Sequence, residues 1–183
     1  MKVVGISCSP RKNGNTDILV QAALEKAKEE GAEIEFITLA GKTIKPCDAC
    51  YACRTTGQCH IDDDMQALYD KIAEADGLVF GSPVYFWSVS AQAKALIDRT
   101  FAYSPQRNLK NKPAGAVVSQ GRDGSSAALQ TFYSFFMGHR MIIVGNAAGF
   151  GNEKGIVKKD EATMARAGAV GKAVVRFLKT GKL

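Results

Sequence analysis

Four of the five cysteines in this chain of 183 residues lie close together, at the spacing C-x2-C-x2-C-x5-C. They are Cys47, Cys50, Cys53 and Cys59, and His60 directly follows the last of them. Thiolates are soft ligands for zinc and for iron–sulfur clusters, and they also take part in redox chemistry. The spacing therefore indicates a metal or redox centre within one short loop, at about 45–62.

Three explanations of the four thiols stay open on this pattern. A [4Fe-4S] cluster takes four thiolates, and two short steps followed by a longer one let a single loop surround it. A structural zinc site also accepts four cysteines, usually as two C-x2-C pairs with a longer insert between them. In the third explanation, the thiols remain reduced and cover another cofactor. The fifth cysteine, Cys8, is predicted to pack inward as a small apolar residue.

A second polar stretch, SCSPRKNGNTDIL at 7–19, combines hydroxyl, amide and guanidinium groups. It precedes a predicted helix, whose free N–H groups and dipole attract anions. An ordinary helix cap at Asn15 or Thr16 is the alternative, but it explains only one of these residues. The stretch matches neither the dinucleotide nor the P-loop glycine pattern. The candidate anion-binding residues are Ser9, Arg11, Asn13, Asn15 and Thr16.

Two further loops follow predicted strands and suit a flat, partly apolar ring. Phe86 and Trp87 have an alternative role as packing or subunit-contact residues. No side chain is predicted to act as a catalytic acid or base. The candidate residues are Pro83, Val84, Tyr85, Phe86, Trp87 and Ser88 in the first loop, and Ser119, Gly121, Arg122 and Gly124 in the second.

The elements that must position these loops alternate between strands and helices. Apolar, β-branched runs predict strands over 2–7, 32–39, 77–83, 114–120 and 140–145. Apolar periodicity predicts helices over 16–30, 64–75, 89–103, 125–137 and 160–179. This repetition predicts an α/β fold, a flavodoxin-like doubly wound five-stranded parallel sheet of order 2-1-3-4-5 with helices on both faces. We expect one domain over 1–183, with the cysteine loop as an insertion.

The carboxyl edge of such a sheet is where ligands bind, and the loops 8–15, 83–88 and 120–124 lie there. The segment 146–159 is predicted to be irregular, and no ligand role is assigned to it. Asp63 and Gln66 precede an apolar stripe, so they are interpreted as a helix capping box in preference to a carboxylate metal site.

Three stretches resemble the hallmarks of the NAD(P)H-dependent FMN reductase family of flavodoxin-like proteins: CSPRKNGNT at 8–16, SPVYFWSVSAQ at 82–92 and KALIDRT at 94–100. The cysteine spacing narrows the resemblance to the iron–sulfur flavoproteins. It implies that the ring of FMN meets the 83–88 and 119–124 loops and that the four clustered cysteines hold a [4Fe-4S] cluster. Cys8 departs from the family, which commonly has glycine there. The implied phosphate contacts are Ser9, Arg11, Asn15 and Thr16.

The resemblance implies electron transfer between a reduced donor and an acceptor through FMN and the cluster, with NAD(P)H as a candidate reductant. A cluster-free NAD(P)H-dependent reductase of flavin, quinones or nitroaromatics is a second hypothesis. A flavodoxin-like carrier or a zinc-stabilised binding module is the non-enzymatic one. The redox partner is expected to be a ferredoxin-like protein or a small molecule. FMN is expected instead of FAD because only one phosphate pocket is evident.

Charge and composition narrow the location and the partners. The net charge of +6 is spread among acidic residues, which disfavours nucleic acid as a partner. The N-terminus carries neither a cleavage site nor a long apolar run, so we expect a cytoplasmic protein without a membrane anchor. The stretch FYSFFMGHRMII at 132–143 predicts a helix that is apolar on several faces, and hence a homodimer or homotetramer.

Overall fold

The computed structural model describes residues 1–183 and contains one sheet of six strands. Five strands run parallel in the order β2-β1-β3-β5-β6, and the two-residue strand β4 pairs antiparallel with the end of β3. The predicted fold and strand order are confirmed, and β4 is an addition to the five predicted strands. The strands are β1 (Lys2–Ser7), β2 (Glu33–Thr38), β3 (Gly77–Tyr85), β4 (Ser88–Val89), β5 (Pro113–Gln120) and β6 (Ile142–Phe150).

Helices cover both faces of this sheet, and each face has its own apolar core. Two helices, α1 (Asn15–Glu29) and α6 (Glu161–Thr180), pack against each other on one face. The other face carries α3 (Gln66–Glu74), α4 (Ala91–Arg99) and α5 (Ser125–Gly138). The short helix α2 (Cys53–Thr56) lies inside the cysteine loop. None of the helices has the length and apolar character needed to cross a membrane.

The last strand is longer than predicted. β6 continues to Phe150, whereas the sequence predicted a strand end at 145, so that boundary is wrong. Glycine and asparagine are weak strand formers, but this segment pairs in parallel with β5 as far as Gln120↔Phe150. A Cβ atom at Gly149 would come within 2.6 Å of Thr163 Cγ2, so close packing on α6 suits a glycine there. Tertiary packing thus extends β6 to the carboxyl edge of the sheet, where ligands bind in this type of fold.

The aromatic residues of α5 are buried within their own chain. Phe132, Phe135 and Phe136 surround Phe80 of β3, with ring centroids 5.1 to 6.2 Å from its ring. Met137 is the large apolar residue of this helix that is mostly exposed. The buried rings of α5 therefore do not themselves require a neighbouring subunit, and the homo-oligomer stays a prediction.

Candidate functional site

The amino end of α1 has no side-chain cap. Gly14 is its N-cap residue in an extended conformation, and no side chain accepts a hydrogen bond from the first turn. The first amides of an α-helix have no partner within the helix, so they attract an anion. The alternative interpretation of Asn15 or Thr16 as an ordinary cap does not hold, because their side chains bond elsewhere.

A cavity of about 250 Å³, the phosphate cavity, opens at this helix end, where the loop after β1 meets the end of β3 and the end of β5 with the loop that follows it. The segment 151–154, after β6, supplies a fourth wall that the sequence analysis did not assign. Thr16 Oγ1 and Ser119 Oγ lie 2.8 Å apart and join two of the walls. The predicted residues that line the cavity are Ser9, Arg11, Asn15, Thr16, Pro83, Val84, Tyr85, Ser119 and Gly121.

The other predicted cofactor residues lie around this cavity without lining it. Asn13 is exposed, and its backbone N–H donates to Asp17 Oδ2 at 2.7 Å. The Arg122 side chain is 86% exposed. Gly124 has a φ of 102° and begins α5, and a Cβ atom there would lie 3.1 Å from the Cα atom of Trp87. These residues are Asn13, Phe86, Trp87, Ser88, Arg122 and Gly124.

Phe86 and Trp87 form the turn between β3 and β4. Their φ angles are 42° and 66°, the left-handed values that a two-residue hairpin turn requires at both central positions. Asparagine and glycine normally occupy such turns, because bulky side chains are strained there. Phe86 is 98% exposed, so no packing in this chain compensates the strain. Strain of this kind concentrates at functional sites.

Asn15 fastens the fourth wall to α1. Its Nδ2 group donates to the carbonyl oxygens of Gly151 at 3.0 Å and Glu153 at 2.9 Å. Its Oδ1 atom accepts from the Gly155 N–H at 2.9 Å. A Cβ atom at Gly151 would lie 2.3 Å from Asn15 Nδ2, so this close approach requires glycine. The amide of Asn15 is therefore committed to positioning the wall of the cavity.

Buried polar groups behind the cavity were also missed by sequence reasoning. Asp17 accepts from Ser7 Oγ at 2.5 Å in addition to the Asn13 N–H, and so fixes the loop before α1. Ser90 Oγ donates to the Cys8 carbonyl at 2.7 Å, and its N–H donates to Ser82 Oγ at 2.9 Å. These bonds connect the loop after β1 with β3 and with the amino end of α4. The only sequence feature that could have indicated these residues is their position, since each lies at the carboxyl edge of the sheet.

Cys8 has the role predicted for it. Its side chain is fully buried in the core, and burial raises the pKa of its thiol to about 12. A thiol that stays protonated is neither a metal ligand nor a nucleophile at neutral pH. Cys8 therefore does not join the four thiols of the cysteine loop.

The four loop cysteines line a second cavity of about 750 Å³. Its opposite wall comes from the ends of α4 and α5 and the segment between α4 and β5. Burial, together with the neighbouring Cys59 thiol, raises the pKa of Cys53. This cavity and the first share no lining residue. The structure thus contains two separate candidate sites, one for an anionic cofactor and one for a thiolate-bound centre.

A different set of ligand atoms converges more tightly in the cysteine loop. Suitable atoms of Asp48, Cys50 and His60 all lie within 4.8 Å of one another. His60 Nε2 is 2.8 Å from Asp48 Oδ2, and hydrogen bonds from Cys50 and His60 lower the pKa of Asp48. Carboxylate, thiolate and imidazole together suit zinc. His60 therefore has a partner and a chemical context that the sequence did not reveal.

The predicted capping box at Asp63 is wrong in its partner. Asp63 Oδ1 does accept from the Met65 N–H at 2.9 Å. The Gln66 side chain instead donates to the carbonyl oxygens of Cys59 at 2.9 Å and Ile61 at 2.7 Å. Gln66 thus holds the end of the cysteine loop, and Asp63 pairs with a buried arginine, Arg99.

The sheet topology defines a doubly wound α/β protein of flavodoxin type, and the polar cavity at its carboxyl edge suits a phosphorylated cofactor. Residues 1–155 match the family described as NADPH-dependent FMN reductase. An iron-sulfur flavoprotein of Methanocaldococcus jannaschii is 43% identical over 98% of both chains. An iron-sulfur flavoprotein of Methanosarcina thermophila is 41% identical over 82% of this chain and 81% of its own length. The chain therefore belongs to the NADPH-dependent FMN reductase family, in its iron-sulfur flavoprotein branch.

Solved structures agree with this fold. A flavone reductase superimposes with a TM-score of 0.78 at 26% identity over 98% of this chain, which spans 64% of that protein's length. The Trp repressor binding protein of Bacillus subtilis has a TM-score of 0.69 at 21% identity, covering 92% of this chain and 99% of its own, and shares the fold. The chain is thus a flavin-dependent oxidoreductase that uses FMN.

Proposed function

We propose that this chain is an electron-transfer flavoprotein with a [4Fe-4S] cluster held by Cys47, Cys50, Cys53 and Cys59. The observation that carries the proposal is that all four thiols line one cavity, apart from the phosphate cavity. The two relatives named iron-sulfur flavoproteins support it. The chain forms one cytoplasmic domain over 1–183, with the cysteine loop inserted between β2 and α3.

The phosphate cavity fits FMN. The free amides of α1, the hydroxyl groups of Ser9 and Thr16, and the cation of Arg11 bind the phosphate, while Asn15 holds the wall formed by 151–154. The segments 83–88 and 119–124 hold the ring. The bound FMN supplies a ring that takes up two electrons and releases them singly. With only one phosphate site at this edge, FAD is not the expected flavin.

A second candidate, a zinc site, is favoured by one observation, the close approach of Asp48, Cys50 and His60. Three single substitutions separate it from the cluster. Cys50→Ser removes a ligand from both arrangements, Cys53→Ser removes one from the cluster alone, and His60→Ala removes one from the zinc site alone. Their metal contents therefore assign the ligands.

The experiment is anaerobic purification of these variants, followed by iron, sulfide, zinc and flavin analysis. We expect Cys50→Ser and Cys53→Ser to lose iron, because a cluster with three protein ligands is labile, and to keep FMN near one per chain. His60→Ala should retain both iron and FMN. Transfer to one-electron acceptors should fall more than NAD(P)H oxidation with two-electron acceptors. Wild-type protein that contains zinc lost in His60→Ala, or no metal, would contradict the cluster and favour the cluster-free reductase.

The partners follow from the same sites. NAD(P)H is the proposed reductant, and a ferredoxin-like protein or a small molecule is the redox partner. We also propose a homodimer or homotetramer, supported by the exposed Phe86 and Trp87. Sedimentation at micromolar concentration tests this, and a monomer there would contradict it.

A further inference from the structure

Arg99 carries a charge at the base of the cysteine loop, yet its side chain is fully buried. It pairs with Asp63, whose side chain is 3% exposed, through contacts of 2.7 and 3.2 Å from its two terminal nitrogens. Burial opposes the charge on Arg99, but Asp63, Tyr69 and Cys59 together raise its pKa. Hydrogen bonds from Arg99, Lys45 and Met65 overcome the effect of burial and lower the pKa of Asp63. Both partners are therefore ionised in the folded protein.

The same guanidinium group ties together the two ends of the cysteine loop. Arg99 Nη1 donates to the Lys45 carbonyl, and Nη2 donates to the Ile61 carbonyl, each at 3.0 Å. Asp63 accepts from the Lys45 N–H at 2.8 Å. Residues 45 and 61 lie just outside Cys47 and Cys59, so one planar fork fixes both entry and exit of the segment that carries all four thiols. Lysine has a single ammonium group and cannot reproduce this pattern of contacts.

Arg99 also belongs to the thiol cavity itself, which it lines together with the four loop cysteines. Its Nε atom is buried without a hydrogen-bond partner, which is unusual for a charged side chain. Anchoring the loop occupies only its terminal nitrogens. A fixed cation in this cavity would also stabilise a negatively charged centre held by the thiols.

We infer that Arg99 is a positioning residue for the thiolate-bound centre: with Asp63 it holds the two ends of the loop that carries the four thiols, and it places a fixed positive charge in the cavity that they line. The inference deepens the proposed function and rests on the cluster proposed there. Partners that orient metal ligands typically affect metal affinity by about 10–100-fold, although they do not touch the metal.

The test compares Arg99→Met and Arg99→Lys with the control Arg140→Met. Arg140 is an exposed cation of the same cavity that forms no ion pair, so its replacement removes charge without releasing the loop. With anaerobically prepared protein and a chelator, we expect iron release to accelerate by about 10–100-fold in both Arg99 variants and to stay near the wild-type rate in the control. The cluster retained in Arg99→Met should have a lower reduction potential than that in Arg99→Lys, because a nearby cation favours the more negative reduced state.

Hydrogen exchange of the metal-free protein supplies a readout that does not need the cluster. We expect faster exchange in 45–62 for the Arg99 variants, while β5 stays protected and reports intact global folding. Exchange and iron release equal to those of Arg140→Met would overturn the inference. If an Arg99 variant also loses protection in β5, its global fold is disturbed, and Gln66→Ala then tests whether anchoring of the loop affects iron release. Gln66 anchors the same loop end, and because it is exposed its replacement should leave the fold intact. Unchanged iron release in that variant would then count against the inference.

Absence of iron from the wild-type protein would overturn the proposed cluster. The exchange experiment would still separate the two claims: faster exchange confined to 45–62 would support anchoring of the loop by Arg99, and unchanged exchange would overturn that as well.

Discussion

Replacement of Asn15 by alanine should destabilise the flavin-free protein by about 2–3 kcal/mol. The side chain makes three hydrogen bonds of 2.9 to 3.0 Å to residues 151–155, which include the fourth wall of the phosphate cavity. Each such bond contributes about 1 kcal/mol net, and Asn15 is buried, so water replaces the lost amide poorly. Alanine is itself a good helix former, so the substitution does not weaken the start of α1.

Urea unfolding of the apoprotein measures this effect, with an unchanged m value indicating that the same surface is exposed on unfolding. Asn152→Ala is the matched control, because Asn152 is exposed in the same segment and its change should stay within about 0.5 kcal/mol. If Asn15→Ala instead weakened FMN binding with no change in apoprotein stability, Asn15 would be a direct phosphate ligand. Its role in fastening the fourth wall to α1 would then be refuted.

Two further predictions concern the hairpin and the buried thiol. For the flavin-free monomer, Phe86→Asn should raise the free energy of unfolding by about 1 kcal/mol in thermal denaturation, because asparagine tolerates a positive φ and the exposed ring loses no packing within the chain; a loss of stability would contradict this. Cys8 has a pKa of about 12 in the folded state against 9.0 for a free thiol. The protonated thiol therefore contributes fully to folding stability below about pH 9, and this contribution is lost as the pH rises towards 12. Cys8→Ala should therefore lose stability less steeply than wild type between about pH 9 and 11 in urea titrations, and parallel slopes would refute the assignment.

Much of the fold follows from the apolar periodicity of the sequence, but the end of β6 and the packing of α5 do not. The alternation of strand and helix patterns predicts the parallel sheet, because βαβ connections leave few other topologies. The sequence does not predict the end of β6, because Asn146 and Gly149 are weak strand formers, whereas close packing on α6 decides that segment. The aromatic stretch of α5 favours a subunit contact on sequence alone, since a sequence does not show that Phe80 lies at the centre of its rings.

The candidate site was predictable where function depends on local spacing. Ser9 and Arg11 precede a helix and Thr16 lies in its first turn, while the cysteines repeat at short intervals, so the chemistry of both groups is visible in the sequence. The hydrogen bonds of Asn15 to the fourth wall and the Arg99–Asp63 pair join residues far apart in the chain. No local pattern encodes such contacts, and Asp63 followed by Gln66 even imitates a capping box.

The most direct test of the central claim is one preparation of the wild-type protein, purified anaerobically and analysed by visible absorption, flavin mass, and iron and sulfide content. We expect FMN near one per chain and about four iron and four sulfide per chain, with absorption from both chromophores. Protein with FMN but neither iron nor sulfide, or with zinc in their place, would contradict the account of an electron-transfer flavoprotein that uses a thiolate-bound cluster.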